Sequence, residues 1–149
     1  PEVLFLDEPT TGVDPVSRKE FWDMLYDLKN MGITIIVSTP YMDEASRCDR
    51  IALIKNGAFI DVDTPENIIN NFKQTLIALK ADNMRQLLKD VRKCSQIKSA
   101  FAFGAEIHAV IDDEDKIEDI NNQLKNLDHK NIEIYRISPA IEDCYIWSR

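Results

Sequence analysis

VLFLDEPTTGVDP, residues Val3 to Pro15, is the stretch from which the fold of this chain is read. Val3 to Leu6 is a short continuous apolar run that ends in two neighbouring acids, Asp7 and Glu8. Such a run suits a buried strand of a parallel sheet, covered on both faces. In open α/β sheets ligands bind off the C-terminal edge of the strands. Acids placed there are costly to desolvate unless they have a cation or a proton to handle. One carboxylate can hold a hydrated Mg²⁺, which prefers a carboxylate together with phosphate oxygens. The other can orient a water for attack on a phosphoryl group. A strand followed by a polar turn is the plainer reading, and an acid pair alone barely outweighs it.

Beyond the acids, Asp14-Pro15 starts a helix. Asp14 can accept from free backbone N–H groups, and proline suits the first helical position. Phe21, Leu25 and Leu28 recur at helical spacing, with Trp22 and Met24 beside them. Gly32 supplies a left-handed stop. Ile33 to Val37, ITIIV, is a second buried strand, which makes strand, helix, strand a right-handed crossover unit. In VSTPYMDEA, Val37 to Ala45, a short helix is expected from about Tyr41 to Arg47, which Thr39 can cap and Pro40 can start. Ile51–Ile54 and Phe59–Val62 are strands joined across Asn56-Gly57, a strong hairpin signal. DTPENI repeats the helix-start chemistry, with Thr64 as cap and Pro65 at the first position.

From Thr75 the rhythm changes. TLIALKA is a strand; Met84, Leu87, Leu88 and Val91 form a helical stripe; FAFGAEIHAVI is a hairpin around Gly104. Ile117, Ile120, Leu124 and Leu127 form a second stripe, and NIEIYRI is a last strand. Strand, helix, strand, strand, helix, strand is the ferredoxin-like order. Two units are expected, residues 1–73 and 74–149, in an α/β chain. In the second unit nothing looks catalytic. His108 is expected exposed or at an edge, opposite Ile107 and Ala109, His129 in a turn, and the acids of IDDEDKIED at a solvated helix start.

The net charge of −8 and pI near 4.7 argue against a nucleic-acid partner, since phosphate binding needs a basic surface. No apolar run approaches the roughly 20 residues of a membrane span, and none reads as a signal peptide. Cys48, Cys94 and Cys144 fit no metal or redox spacing and are expected as reduced, buried thiols. The opening PEVLFLDEP, without a methionine, reads as a piece of something longer.

Val3 to Pro15 resembles the Walker B motif, catalytic glutamate and D-loop of ABC-transporter ATPases. The resemblance continues through STPYMDEASRCDRIALIKNGAFIDVDTPENI, with the acid pair, the EPTTGVDP run and the YMDEA…CDRI…NG run in order and at matching spacing. It implies the second half of a P-loop NTPase sheet followed by an accessory domain. By position, Asp7 would be the Mg²⁺-associated acid, Glu8 the general base or water-positioning residue, and Asp14 the D-loop acid at a nucleotide-sandwiching dimer interface. ATP and Mg²⁺ are the implied cofactors. A second nucleotide-binding domain, identical or not, and a transmembrane permease are the implied partners, with the subunit cytoplasmic at the inner face of the membrane.

The sequence also departs from the family pattern. It has no G-x-x-x-x-G-K-[ST] loop and no LSGGQ-type signature, and it has only four glycines. The chain alone is therefore expected neither to bind ATP well nor to hydrolyse it. Where the family resemblance leads one to expect a switch histidine, after Ser38-Thr39, stands Pro40. Proline has no side-chain donor and no N–H. Two readings stand. Glu8 alone positions water and the parent is an exporter ATPase, or the site is degenerate and the parent pairs with a competent partner or carries a second ATPase domain; the alternative in function is a non-hydrolytic regulatory or assembly module. A soluble-process ABC ATPase is a third reading, which the YMDEA and CDRI context disfavours. The closing PAIEDCYI is similar to the segment that ends the accessory domain of many drug- and polysaccharide-export ATPases, departing at Ala140, Ile141 and Cys144.

Overall fold

A computed structural model describes residues 1–148. The chain divides into two compact units, Pro1–Pro65 and Glu66–Ser148. The sequence pattern sets the change near residue 73.

In the first unit, β1 (Val3–Asp7), α1 (Pro15–Asn30) and β2 (Thr34–Ser38) form a strand–helix–strand crossover. The two strands pair in parallel, from Val3 opposite Thr34 to Asp7 opposite Ser38. Both strands alternate. Leu4, Leu6, Ile35 and Val37 are half-buried, whereas Phe5 is 72% exposed and Ile36 52%. The expectation of strands covered on both faces is thus corrected for this unit. The physical reason is supply: α1 is the one long helix here, and it packs against β2. Its buried side chains are Trp22 and Leu25, with Phe21 and Leu28 half-buried and Met24 exposed.

A short helix α2 (Met42–Ala45) precedes the hairpin of β3 (Ile51–Lys55) and β4 (Ala58–Asp63). Asn56 and Gly57 both take positive φ, 52° and 78°. That is what a two-residue turn matched to strand twist requires.

The second unit takes in helix α3 (Pro65–Asn70), whose first residue lies at the division. There follow β5 (Thr75–Lys80), α4 (Met84–Val91), β6 (Ile97–Phe103), β7 (Glu106–Ile111), α5 (Ile117–Asn126), β8 (Glu133–Ile137) and α6 (Ile141–Ile146). The four strands form one antiparallel sheet in the order β6-β7-β5-β8. Side chains alternate across a strand, so β5 and β7 each serve two layers. Ile77, Leu79, Ile107, Ala109 and Ile111 meet Leu87 and Val91 of α4 and Ile120 and Leu124 of α5. On the other face Leu76, Ala78, His108 and Val110 are also buried.

The two histidines differ from expectation. His108 is only 7% exposed. β7 is an inner strand, and the ring Nδ1 lies 2.6 Å from Oδ1 of Asp143 on α6. Phe103 stacks on the same imidazole at 4.1 Å between centroids. His129 does follow a turn, but it is buried, with Nε2 2.8 Å from Asp90 Oδ2. Each histidine covers a carboxylate that burial would otherwise disfavour. Among the described residues no disulfide forms; Cys94 and Cys144 are buried and Cys48 half-buried.

The hydrogen bond from His129 holds the Asp90 carboxyl below its usual range; burial opposes this and Gln86 assists. Asp90 therefore binds its proton less readily in the native chain than in the unfolded one. The stabilisation is present above the unfolded value, about 3.9, and is lost as pH falls through the lower native value. Urea midpoints measured from pH 7 downward should fall less steeply in the acid range for Asp90→Asn than for the parent chain. An unchanged acid slope would refute this assignment.

Candidate functional site

The parallel register of β1 and β2 sets Asp7 beside Ser38. The chain then turns sharply, because Glu8 adopts φ 43°, a left-handed conformation uncommon for a residue with a Cβ. Hydrogen bonds hold the turn from both sides. The Glu8 N–H donates to the Ser38 carbonyl and to the Ser38 hydroxyl oxygen, each at 3.0 Å. The Ser38 hydroxyl in turn donates to Asp7 Oδ1. Thr11 N–H closes back on the Glu8 carbonyl at 3.2 Å, and the Thr11 hydroxyl reaches Glu8 Oε2 at 3.4 Å. Ser38 thus uses both its donor and its acceptor capacity to fasten consecutive acids. The carboxylates of Asp7 and Glu8 belong to exposed residues.

Beneath this turn lies a buried polar cluster. Thr10 is 1% exposed and Glu44, on α2, 2%. The Thr10 hydroxyl donates to Glu44 Oε1 and the Thr39 hydroxyl to Oε2, both at 2.7 Å. Arg18 of α1 donates from Nε to Oε1 at 3.0 Å and from Nη2 to Asp43 at 3.3 Å. Its guanidinium lies 4.4 Å from the centroid of the Tyr41 ring. Burial pushes the Glu44 carboxyl up, but the hydroxyls of Thr39 and Thr10 and the Arg18 guanidinium outweigh it and hold the group below its usual range. The same contact raises Arg18.

Asp14 caps α1, accepting at Oδ1 from Val16 N–H at 3.0 Å and Ser17 N–H at 3.1 Å. Those two bonds leave Asp14 exposed. Pro40 is exposed and does not start the helix. Tyr41 is the N-cap of α2, and Met42 is its first residue. The reason is local. Thr39 turns its hydroxyl oxygen to the Tyr41 N–H at 3.1 Å, which makes the bend one residue before the helix. The structure therefore brings Asp7 and Glu8 to the β1 end next to Ser38, and puts Thr39 and Pro40 at the exit of β2.

Reading the sequence missed Ser38, Thr10 and Glu44. Asp43 and Glu44 look equivalent as first-turn acids, and only the packing of α2 against the turn separates the exposed Asp43 from the buried Glu44. Ser38→Ala keeps the carbonyl acceptor for Glu8 and removes the hydroxyl. It should cost the first unit about 0.5–1.5 kcal/mol in urea unfolding and speed amide exchange at Glu8. Exchange at the parent rate would show that the hydroxyl contributes nothing.

No family model matches the chain. Individual proteins do. It is 48% identical over 68 residues to a protein of Escherichia coli (strain K12) named probable multidrug ABC transporter ATP-binding protein YbhF, covering 46% of this chain and 12% of that protein. It is 41% identical over 81 residues to the daunorubicin/doxorubicin resistance ATP-binding protein DrrA of Streptomyces peucetius, covering 54% of this chain and 24% of the relative. The daunorubicin resistance ATP-binding protein DrrA2 of Streptomyces coeruleorubidus matches 98% of this chain at 29% identity, and the match covers 47% of its own length. The chain thus spans less than half the length of these relatives. It is a homologue of ABC transporter ATP-binding proteins, matched to them over part of their length.

Proposed function

We propose that this chain is part of the ATP-binding and ATP-hydrolysing subunit of an ABC-type membrane exporter. The observation that carries the reading is the Asp7–Glu8 pair, fastened by Ser38 at the C-terminal end of two parallel strands. In this reading the first unit is the second half of a P-loop NTPase sheet, and the second is a ferredoxin-like accessory domain. The β5-α4-β6-β7-α5-β8 order and the β6-β7-β5-β8 sheet support the latter.

Mg²⁺ and ATP fit the residues present. Among the described residues no three His, Cys, Asp or Glu side chains converge to hold a metal by themselves. A hard cation bound by Asp7 would complete its shell with water and phosphate oxygens, which is how Mg²⁺ is commonly held. Mg²⁺ at this place would supply positive charge against the phosphate oxygens. Asp7 would hold the hydrated cation, and Ser38 fixes the Asp7 carboxylate by donating to Oδ1. Glu8 accepts a proton from the attacking water or orients it, with its backbone set by the bonds to Ser38. Asp14, the N-cap of α1, would in this reading lie at the interface with a second nucleotide-binding domain. Pro40 offers no donor, so the water depends on Glu8.

The subunit acts at the cytoplasmic face of the membrane through a separate permease. No helix among the described residues is long and apolar enough to cross a membrane itself. The acidic charge of −8 speaks against a nucleic-acid partner. The alternative, a non-hydrolytic regulatory or assembly module, draws on Pro40 alone.

Calorimetric titration of residues 1–149 with Mg-ATP should show no binding, because the chain carries no phosphate-cradling P-loop. Micromolar binding would overturn that part. In the full-length protein, Glu8→Gln should lower kcat by about 10²-fold or more, and Pro40→His should raise it by supplying a donor. Turnover that survives Glu8→Gln unchanged would remove Glu8 from the mechanism, and a parent without turnover would favour the non-hydrolytic module.

A further inference from the structure

We infer that Glu44 is a positioning residue for Glu8, acting through Thr10, and that it couples the turn after β1 to the exit of β2. The inference rests on the proposed reading of Glu8. Three observations point to it.

First, Glu44 is a carboxylate buried to 2% exposure. A buried charge is retained only where donors satisfy it. Second, its donors come from segments far apart in sequence. Thr10 follows Glu8 by two residues and holds Oε1 at 2.7 Å. Thr39 immediately precedes Pro40 and holds Oε2 at 2.7 Å. Arg18 of α1 completes the set at 3.0 Å. Third, Thr10 is locked into the Glu8 turn by its own backbone, since its carbonyl accepts from Val13 N–H at 3.1 Å while Thr11 N–H returns to the Glu8 carbonyl. A shift of Thr10 therefore shifts the turn in which Glu8 holds φ 43°.

The arrangement bears on the proline. Position 40 has no side-chain donor with which to reach across to the first strand. One layer deeper, the two carboxylate oxygens of Glu44 make that link instead, one oxygen to each exit loop. The Thr39 and Thr10 hydroxyls, ahead of Arg18, hold the Glu44 carboxyl below its usual range, and Arg18 is itself held by Asp43 and the Tyr41 ring. The orientation of Glu8 is thereby set by packing below the site rather than by a group above it. Glu44 touches no reacting atom in this scheme.

The test has two arms. In this chain, Thr10→Val and Glu44→Leu, which leaves no acceptor at position 44, should each speed amide exchange at Glu8 and Thr11 by on the order of tenfold, while Thr10→Ser, which keeps the hydroxyl, exchanges like the parent. In the full-length protein, Thr10→Val should lower kcat about tenfold with KM for ATP unchanged, and Thr10→Ser should restore it. The Thr10→Val, Glu44→Leu double variant should fall no further than Glu44→Leu alone, because Glu44→Leu already removes the contact that Thr10→Val removes. Parent exchange rates in Thr10→Val overturn the inference, and so does faster exchange without loss of kcat. Loss of kcat that Thr10→Ser does not rescue also overturns it. A full-length protein without turnover defeats the ATPase reading, and the exchange arm still decides whether Glu44 holds the Glu8 turn.

Discussion

The pairing of Asp7 with Ser38 across the parallel β1–β2 ladder is the constraint on which the first unit depends. A parallel ladder admits one register at a time, and a slip by one residue would turn every side chain to the opposite face. In the register found, a serine hydroxyl meets both the carboxylate of one acid and the backbone N–H of the next. That meeting allows a residue with a full side chain to sit in left-handed geometry at Glu8. It also leaves the two carboxylates exposed at the C-terminal edge of the strands, where ligands of α/β sheets are met.

Both units carry charge in their interiors, and both handle it by the same physics. Glu44 in the first is surrounded by two threonine hydroxyls and an arginine. In the second, Asp143 pairs with His108 and Asp90 with His129. A buried carboxylate without donors would be a large cost. With donors from several elements it becomes a joint, because the elements must be in place together for the charge to be satisfied. Asp143 also accepts from the Ala140 N–H at the start of α6, so the helix end and the inner strand β7 share one carboxylate. Glu44 differs from the other two in what it joins, since its partners flank the acid pair.

Much of the secondary structure was legible because its causes are local. Asp14-Pro15 starts α1 since a carboxylate and a preset φ act within one turn of chain. Asn56-Gly57 makes its hairpin because both residues accept positive φ. The continuous apolar runs of β5 and β7 and the stripes of α4 and α5 mark the core that forms. Where the reading failed, the cause was not local. Phe5 and Ile36 look like core residues, yet their exposure depends on how many elements cover a sheet. His108 looks like a surface residue on an alternating strand, but Asp143, 35 positions further on, supplies its partner. Pro40 looks like a helix start until the Thr39 hydroxyl is seen to take the Tyr41 N–H.

The sequence by itself determined the order of strands and helices from β1 to β8, the acid pair at the end of a strand, the helix cap at Asp14 and a side chain without a donor at position 40. These follow from side-chain chemistry and from spacings of a few residues, which no distant contact alters. Only the tertiary structure decided that Ser38 fastens both acids, that Glu44 rather than Asp43 is buried, and that its carboxylate spans Thr10 and Thr39. Adjacent acids on a short helix are indistinguishable in sequence. The packing of that helix against the Glu8 turn removes one of them from water, and the donors it meets there settle what it does.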